Sequence, residues 1–121
     1  MNMINQIPVH KTKYESQAQL FKVLTHPTRI AILNLLRDGE HCVCHMETYL
    51  GLRQAYLSQQ LAVLREAGII TDRRDGWNIF YRVTNPLIFE ILSAVQNLSG
   101  EPETVINPPE VKCNCPHCLG T

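Results

Sequence analysis

The 121-residue chain has no long apolar run. Nothing in it approaches the roughly 18 apolar residues that a membrane span needs, and its N-terminus lacks the apolar core of a secretory signal. These absences predict a cytoplasmic protein without a membrane partner. Net charge is also missing, since 11 Lys and Arg balance 11 Asp and Glu. A uniformly basic nucleic-acid binder is thereby excluded. At this length the chain forms one domain with a modest core and little surface for a second function. No third group stands ready to orient a Cys and His pair, and no oxyanion-forming loop is visible, so an enzyme with a small organic substrate is not expected. Cysteine, by contrast, is present five times (Cys42, Cys44, Cys113, Cys115 and Cys118). An odd number of thiols in a reducing compartment points to metal binding or redox chemistry before structural disulfides.

The balanced charge is unevenly spread. Residues 53–82 carry five arginines (53, 65, 73, 74 and 82) against three acids, an excess of two positive charges. Residues 99–121 carry three glutamates against one lysine, an excess of two negative charges. The basic surplus therefore sits in one internal segment.

Periodicity divides the chain into elements. Residues 1–13 show no clear period and read as a flexible arm. A first helix is expected over residues 15–24, with Leu20, Phe21 and Leu24 on one stripe. Pro27 suits the first position of a second helix, capped by Thr25 or His26, with Ile30, Leu33 and Leu36 on one face before Asp38 and Gly39. A short third helix opens at the "CVC" stretch and ends near Gly51. In "RQAYLSQQLAVLREAG", residues 53–68, Leu57, Leu61 and Leu64 recur at i, i+4 and i+7, and Gly68 supplies a stop. The runs "IITDRR" and "NIFYRV", separated by Asp75 and Gly76 with Trp77 at the exit, predict a hairpin. Asn85 and Pro86 then cap a last helix whose Leu87, Ile88, Ile91, Leu92, Val95 and Leu98 share a broad apolar face. So apolar a face in so small a domain predicts a homodimer. Beyond Ser99 come four prolines and no apolar period, which reads as a Cys-rich tail over residues 99–121.

This order of elements, mainly α with a small β-hairpin, is that of a winged helix-turn-helix domain over residues 14–98. With the leucines of the fourth helix inward, Ala55 and Gln59 face away from the core, flanked by Tyr56 and Ser58. Arg53 and Gln54 open the same helix, and Arg73 and Arg74 lie on the hairpin. Small and hydrogen-bonding residues on such a face, followed by arginines, suit double-stranded DNA: Tyr56, Ser58 and Gln59 for base edges or phosphates, the hairpin arginines for the backbone.

The thiols form two clusters. Inside a regular helix, residues i and i+2 point about 200° apart and cannot share one ion. Cys42 and Cys44 can therefore act together only where the helix has not yet begun, so the state of this pair and the first turn of the third helix are coupled. The tail's "CNCPHC" packs Cys113, Cys115 and Cys118 with His117 into six residues, dense soft-ligand spacing far from any core element. The 15 residues from Leu98 to Cys113 span up to roughly 50 Å when extended, enough to reach Cys42 and Cys44 of either protomer. His41 and His45 flank the first pair and are read as solvated rather than ligating, while His26 is read as a structural cap.

Four stretches, "LFKVLTHPTRIAILNLL", "EHCVCHM", "LSQQLAVLREAGII" and "DGWNIFYRV", resemble in order the signatures of the ArsR/SmtB metal-responsive repressors. The resemblance runs from about residue 21 to residue 83. It implies a homodimeric repressor that occupies its operator when metal-free and leaves it when metal binds. Cys42 and Cys44 correspond to the first two thiols of that family's "LCVCDLC"-like motif, but Glu47 occupies the third position, where a carboxylate serves a thiophilic metalloid poorly and zinc better. The family's other site, built from Asp and His on the last helix, has no histidine here. Three thiolates suit As(III) or Sb(III), and four suit Cd(II), Pb(II) or Zn(II). A repressor of the same fold that senses thiol oxidation or reactive sulfur is the alternative, although a redox switch needs only two of the five cysteines.

Overall fold

The computed structural model describes residues 11–100. The expected arm falls largely outside the described residues, as do the tail with its Cys113, Cys115 and Cys118. Five helices and a three-stranded sheet follow in the order α1 (Lys11–Leu24), α2 (Pro27–Leu35), a 3-10 turn (Leu36–Asp38), β1 (His41–Cys42), α3 (Val43–Leu50), α4 (Gln54–Glu66), β2 (Ile70–Asp75), β3 (Asn78–Val83) and α5 (Leu87–Ser99). The first helix begins about one turn before its expected start at residue 15.

Local signals explain the boundaries. Pro27 stands at the first turn of α2, where its missing N–H costs nothing, and His26 is the cap: its Nδ1 accepts from the Thr28 amide at 3.2 Å. Gly51 takes φ +66° to close α3, and Leu52 and Arg53 complete a three-residue turn into α4. Gly76, at φ +62°, and Trp77 form the two-residue loop between Asp75 and Asn78, the hairpin connection in which a glycine at the first position fits the twist of the strands. Asn85 caps α5, its Oδ1 accepting from the Leu87 amide at 3.0 Å.

Ile32, Leu33, Met46, Leu57 and Leu64 have no exposure and form the centre of the core, joined by Leu61, Ile70 and, from the last helix, Ile88 and Leu92. Every helix from α2 to α5 thus contributes one stripe to a single cluster. Two features were not expected. The sheet has a third strand, since His41 and Cys42 pair antiparallel with Tyr81 and Phe80, giving the order β1-β3-β2. The apolar face of α5 is also split: Ile88 and Leu92 are core, whereas Leu87, Val95 and Leu98 point outward. Helical geometry causes the split, because positions 87, 91, 95 and 98 form one stripe and 88 and 92 the adjacent one.

Candidate functional site: a DNA-reading face beside a buried thiol pair

The face of α4 is built by its leucines. With Leu57, Leu61 and Leu64 buried, Gln54, Ala55, Tyr56, Ser58 and Gln59 are exposed together, as expected. Gln60 is the surprise on this helix. It is only 8% exposed and accepts a 2.8 Å bond from Nε of Arg29, which also donates to the Val23 carbonyl at 3.1 Å. Lying three residues after Leu57, Gln60 is on the leucine face itself, and a polar side chain can be buried there when a cation from another helix satisfies it. Tyr56 is likewise tied to α2. Its hydroxyl lies 3.2 Å from Thr28 Oγ1 and 3.4 Å from His26 Nε2. Because Nδ1 of His26 accepts from an amide, the neutral ring carries its proton on Nε2 and donates to Tyr56. The cap of α2 and the first turn of α4 are therefore fastened by one polar chain.

The wing is formed by β2 and β3. Arg74 and Arg82 are exposed, as is Arg53 at the start of α4, and among the described residues none of the three forms an ion pair. Arg65 lies 3.6 Å from Asp72. Arg73 differs from Arg74. Its Nε donates to both carboxylate oxygens of Glu40, at 3.1 and 2.9 Å, its terminal nitrogen makes a further close contact with the same carboxylate, and its guanidinium sits 4.6 Å from the centre of the Phe80 ring. The Glu40 hydrogen bonds, opposed by slight desolvation, hold Arg73 above the ordinary arginine pKa. Trp77, at the wing tip, is fully exposed.

The thiol pair sits where β1 becomes α3. Cys42 has extended backbone (φ −79°, ψ 158°), pairs with Phe80 and also caps α3, its Sγ accepting from the His45 amide at 3.3 Å. Cys44 is already one residue into the helix. This strand-to-helix junction brings the two sulfurs to 2.7 Å, which two positions within a regular helix could not do. Cys42 is 1% exposed and packs with Phe80, with Cys44 half-buried against them. The rings of His41 and His45 stack on each other at 4.7 Å and that of His45 on Tyr49 at 5.9 Å. Among the described residues no group of three or more His, Cys, Asp or Glu gathers in a way that could hold a metal ion.

The profile of the bacterial regulatory proteins of the arsR family matches residues 26–72. The biofilm growth-associated repressor of Agrobacterium fabrum is 38% identical over 97 residues, covering 80% of this chain and 83% of that one. The chain belongs to the ArsR family. It is a transcriptional repressor of that family and not an enzyme. The arsenical resistance operon repressor of Escherichia coli is 45% identical over 67 residues, 54% of this chain and 57% of that one. The solution structure of Mb0332 from Mycobacterium bovis, a homodimeric winged helix-turn-helix DNA-binding domain, is 26% identical with a TM-score of 0.70, covering 85% of this chain and 94% of that one. No helix among the described residues is long and apolar enough to cross a membrane.

Proposed function

We propose that the chain is a cytoplasmic, homodimeric repressor that holds double-stranded operator DNA through α4 and the wing, and releases it when Cys42 and Cys44 are engaged by a thiophilic metal or metalloid. The position of the thiol pair carries this reading. Cys42 is at once a strand residue of the wing's sheet and the cap of α3, the helix that supports α4, so whatever binds its sulfur acts on both DNA-facing elements. Arg53, Gln54, Tyr56, Ser58 and Gln59 face the major groove, with Arg74 and the rest of the wing on the backbone. Arg73 belongs to this set with Glu40 holding its guanidinium in position on the wing. The outward stripe of α5, with the exposed Phe21 and Tyr14 of α1, is the dimer surface, in keeping with the homodimeric Mycobacterium bovis relative.

The ligand set is Cys42 and Cys44 completed by Cys113, Cys115 and Cys118 of either protomer. Such sulfur donors suit As(III) or Sb(III) in threes and Cd(II), Pb(II) or Zn(II) in fours, and the similarity to the arsenical repressor of Escherichia coli favours a thiophilic inducer. A second reading, a disulfide or reactive-sulfur switch, is favoured by the two sulfurs standing 2.7 Å apart. Anaerobic titration of the reduced full-length protein on its operator separates the two. Release by stoichiometric Cd(II) or arsenite, with sulfur-to-metal absorption, supports the metal reading. Release by hydrogen peroxide alone transfers the function to thiol oxidation, and release by none of them removes the thiols from the switch.

A further inference from the structure

The sheet register aligns three residues of different chemistry in one row. Cys42 on β1 pairs with Phe80 on β3, and Phe80 pairs with Arg73 on β2. Directly paired residues put their side chains on the same face of a sheet, so a thiol, a ring and a guanidinium lie side by side across all three strands. The contacts follow. Phe80, 2% exposed, packs on the thiols, and the Arg73 guanidinium covers the ring at 4.6 Å. Glu40, two residues before Cys42, closes the circuit by taking the Arg73 fork.

We propose that Glu40 and Arg73 are positioning residues, linking the state of the Cys42 and Cys44 thiols to the wing through the row Cys42, Phe80, Arg73 and the Glu40 ion pair that closes it. This rests on the reading of those thiols as the inducer site. Cys42 is 1% exposed and packs with Phe80, so a group joining the sulfurs presses on the ring and on the first turn of α3. Phe80 cannot shift without Arg73, which covers it. Glu40 cannot stay in place if the backbone two residues on is pulled into a new geometry. Both routes end on the same guanidinium, which belongs to β2 and which the Glu40 carboxylate fixes through a fork-matched pair of hydrogen bonds. An isolated surface ion pair would stabilise the fold weakly and do nothing else. This one spans the gap between the sensing strand and the wing.

Trp77, the sole tryptophan, sits at the wing tip and reports on this link without a label. The test uses the reduced full-length protein and compares the natural sequence, Glu40→Gln and the charge-swapped pair Glu40→Arg with Arg73→Glu. Cd(II) is titrated while sulfur-to-cadmium absorption, Trp77 emission and operator affinity are followed. In the natural protein, Cd(II) changes Trp77 emission and weakens operator binding. Glu40→Gln should bind Cd(II) with the same absorption and stoichiometry, yet lose most of the emission change, with the weakening of operator binding reduced by about tenfold. The swapped pair should recover the emission change. An undiminished emission change and release in Glu40→Gln overturns the proposal, as does a swapped pair no better than Glu40→Gln. If Cd(II) gives no absorption in the natural protein, the metal reading fails separately, and the comparison is repeated with hydrogen peroxide. A natural protein whose Trp77 responds to neither probe overturns the link as well.

Discussion

At Cys42, one side chain carries two roles that a substitution can separate. Its sulfur caps α3 through the His45 amide, and it is also half of the thiol pair. Serine is a good cap, so Cys42→Ser should retain the fold, the dimer and operator binding while losing release by Cd(II) or arsenite. A gel-shift titration with and without the inducer checks this; normal release by the variant would exclude Cys42 from the site. Gln59 projects from α4 with no part in the core, so Gln59→Ala should cost about 1 to 3 kcal/mol on operator DNA and little on random DNA. Equal losses on both would assign it to the backbone. Gln60, next to it in sequence, is the opposite case. Gln60→Leu would strand Nε of Arg29 in a partly buried place, and thermal unfolding should register a loss of about 1 to 3 kcal/mol. The two are alike in type, and helical position separates them: Gln60 lies three residues after Leu57, on the leucine face, and Gln59 does not.

Among the elements, the wing was visible in advance and its attachment was not. Asp75 and Gly76 between two β-prone runs predict the hairpin, because a two-residue turn with glycine is a local signal. The added strand β1 is two residues long and has no period of its own. It exists because β3 offers an edge to which His41 and Cys42 can pair. Tyr81, the β3 partner of both His41 and Asp72, records how tightly this sheet is held. Burial is the first cause that raises its pKa, the nearby Arg65 opposes the shift and Asp72 reinforces it. An acid held neutral in the fold stabilises it below the unfolded pKa of about 10 and loses that contribution as pH rises beyond it. Tyr81 should therefore ionise above the ordinary tyrosine value in an ultraviolet titration, and unfolding should follow its ionisation. If it titrates at the ordinary tyrosine value of about 10, the sheet is looser than its packing indicates.

For the whole molecule the open surface is the outward stripe of α5. Val95 is 51% and Leu98 89% exposed, while Ile91 is half-buried against the core. A charge at Ile91 would disturb core and interface together. Val95→Glu is the cleaner change: the protomer should stay folded by circular dichroism, sediment as a monomer at micromolar concentration and lose operator binding in the same step. A dimer that survives Val95→Glu would place the interface elsewhere. Deletion of residues 113–121 tests the reach of the tail. Metal affinity should fall by degrees rather than vanish, since Cys113, Cys115 and Cys118 can substitute for one another, and more inducer should be needed for release. An unchanged response would make the tail thiols bystanders.

The order of helices, the leucine stripe of α4, the hairpin and the separation of thiols into two clusters were all determined by the sequence alone, because periodicity, turn residues and spacing act over a few positions. Which candidate caps α2 was not: Thr25 and His26 are both plausible in a sequence, and only the bond from the Thr28 amide to His26 selects one. The same holds for Gln60 with Arg29, 31 residues away, for Glu40 with Arg73, 33 residues away, and for Cys42 with Phe80 across the sheet. Each pair is made by chain segments that meet only after the core has closed. No local pattern encodes the meeting, because a side chain's partner is set by the packing of whole elements and not by its neighbours in the chain.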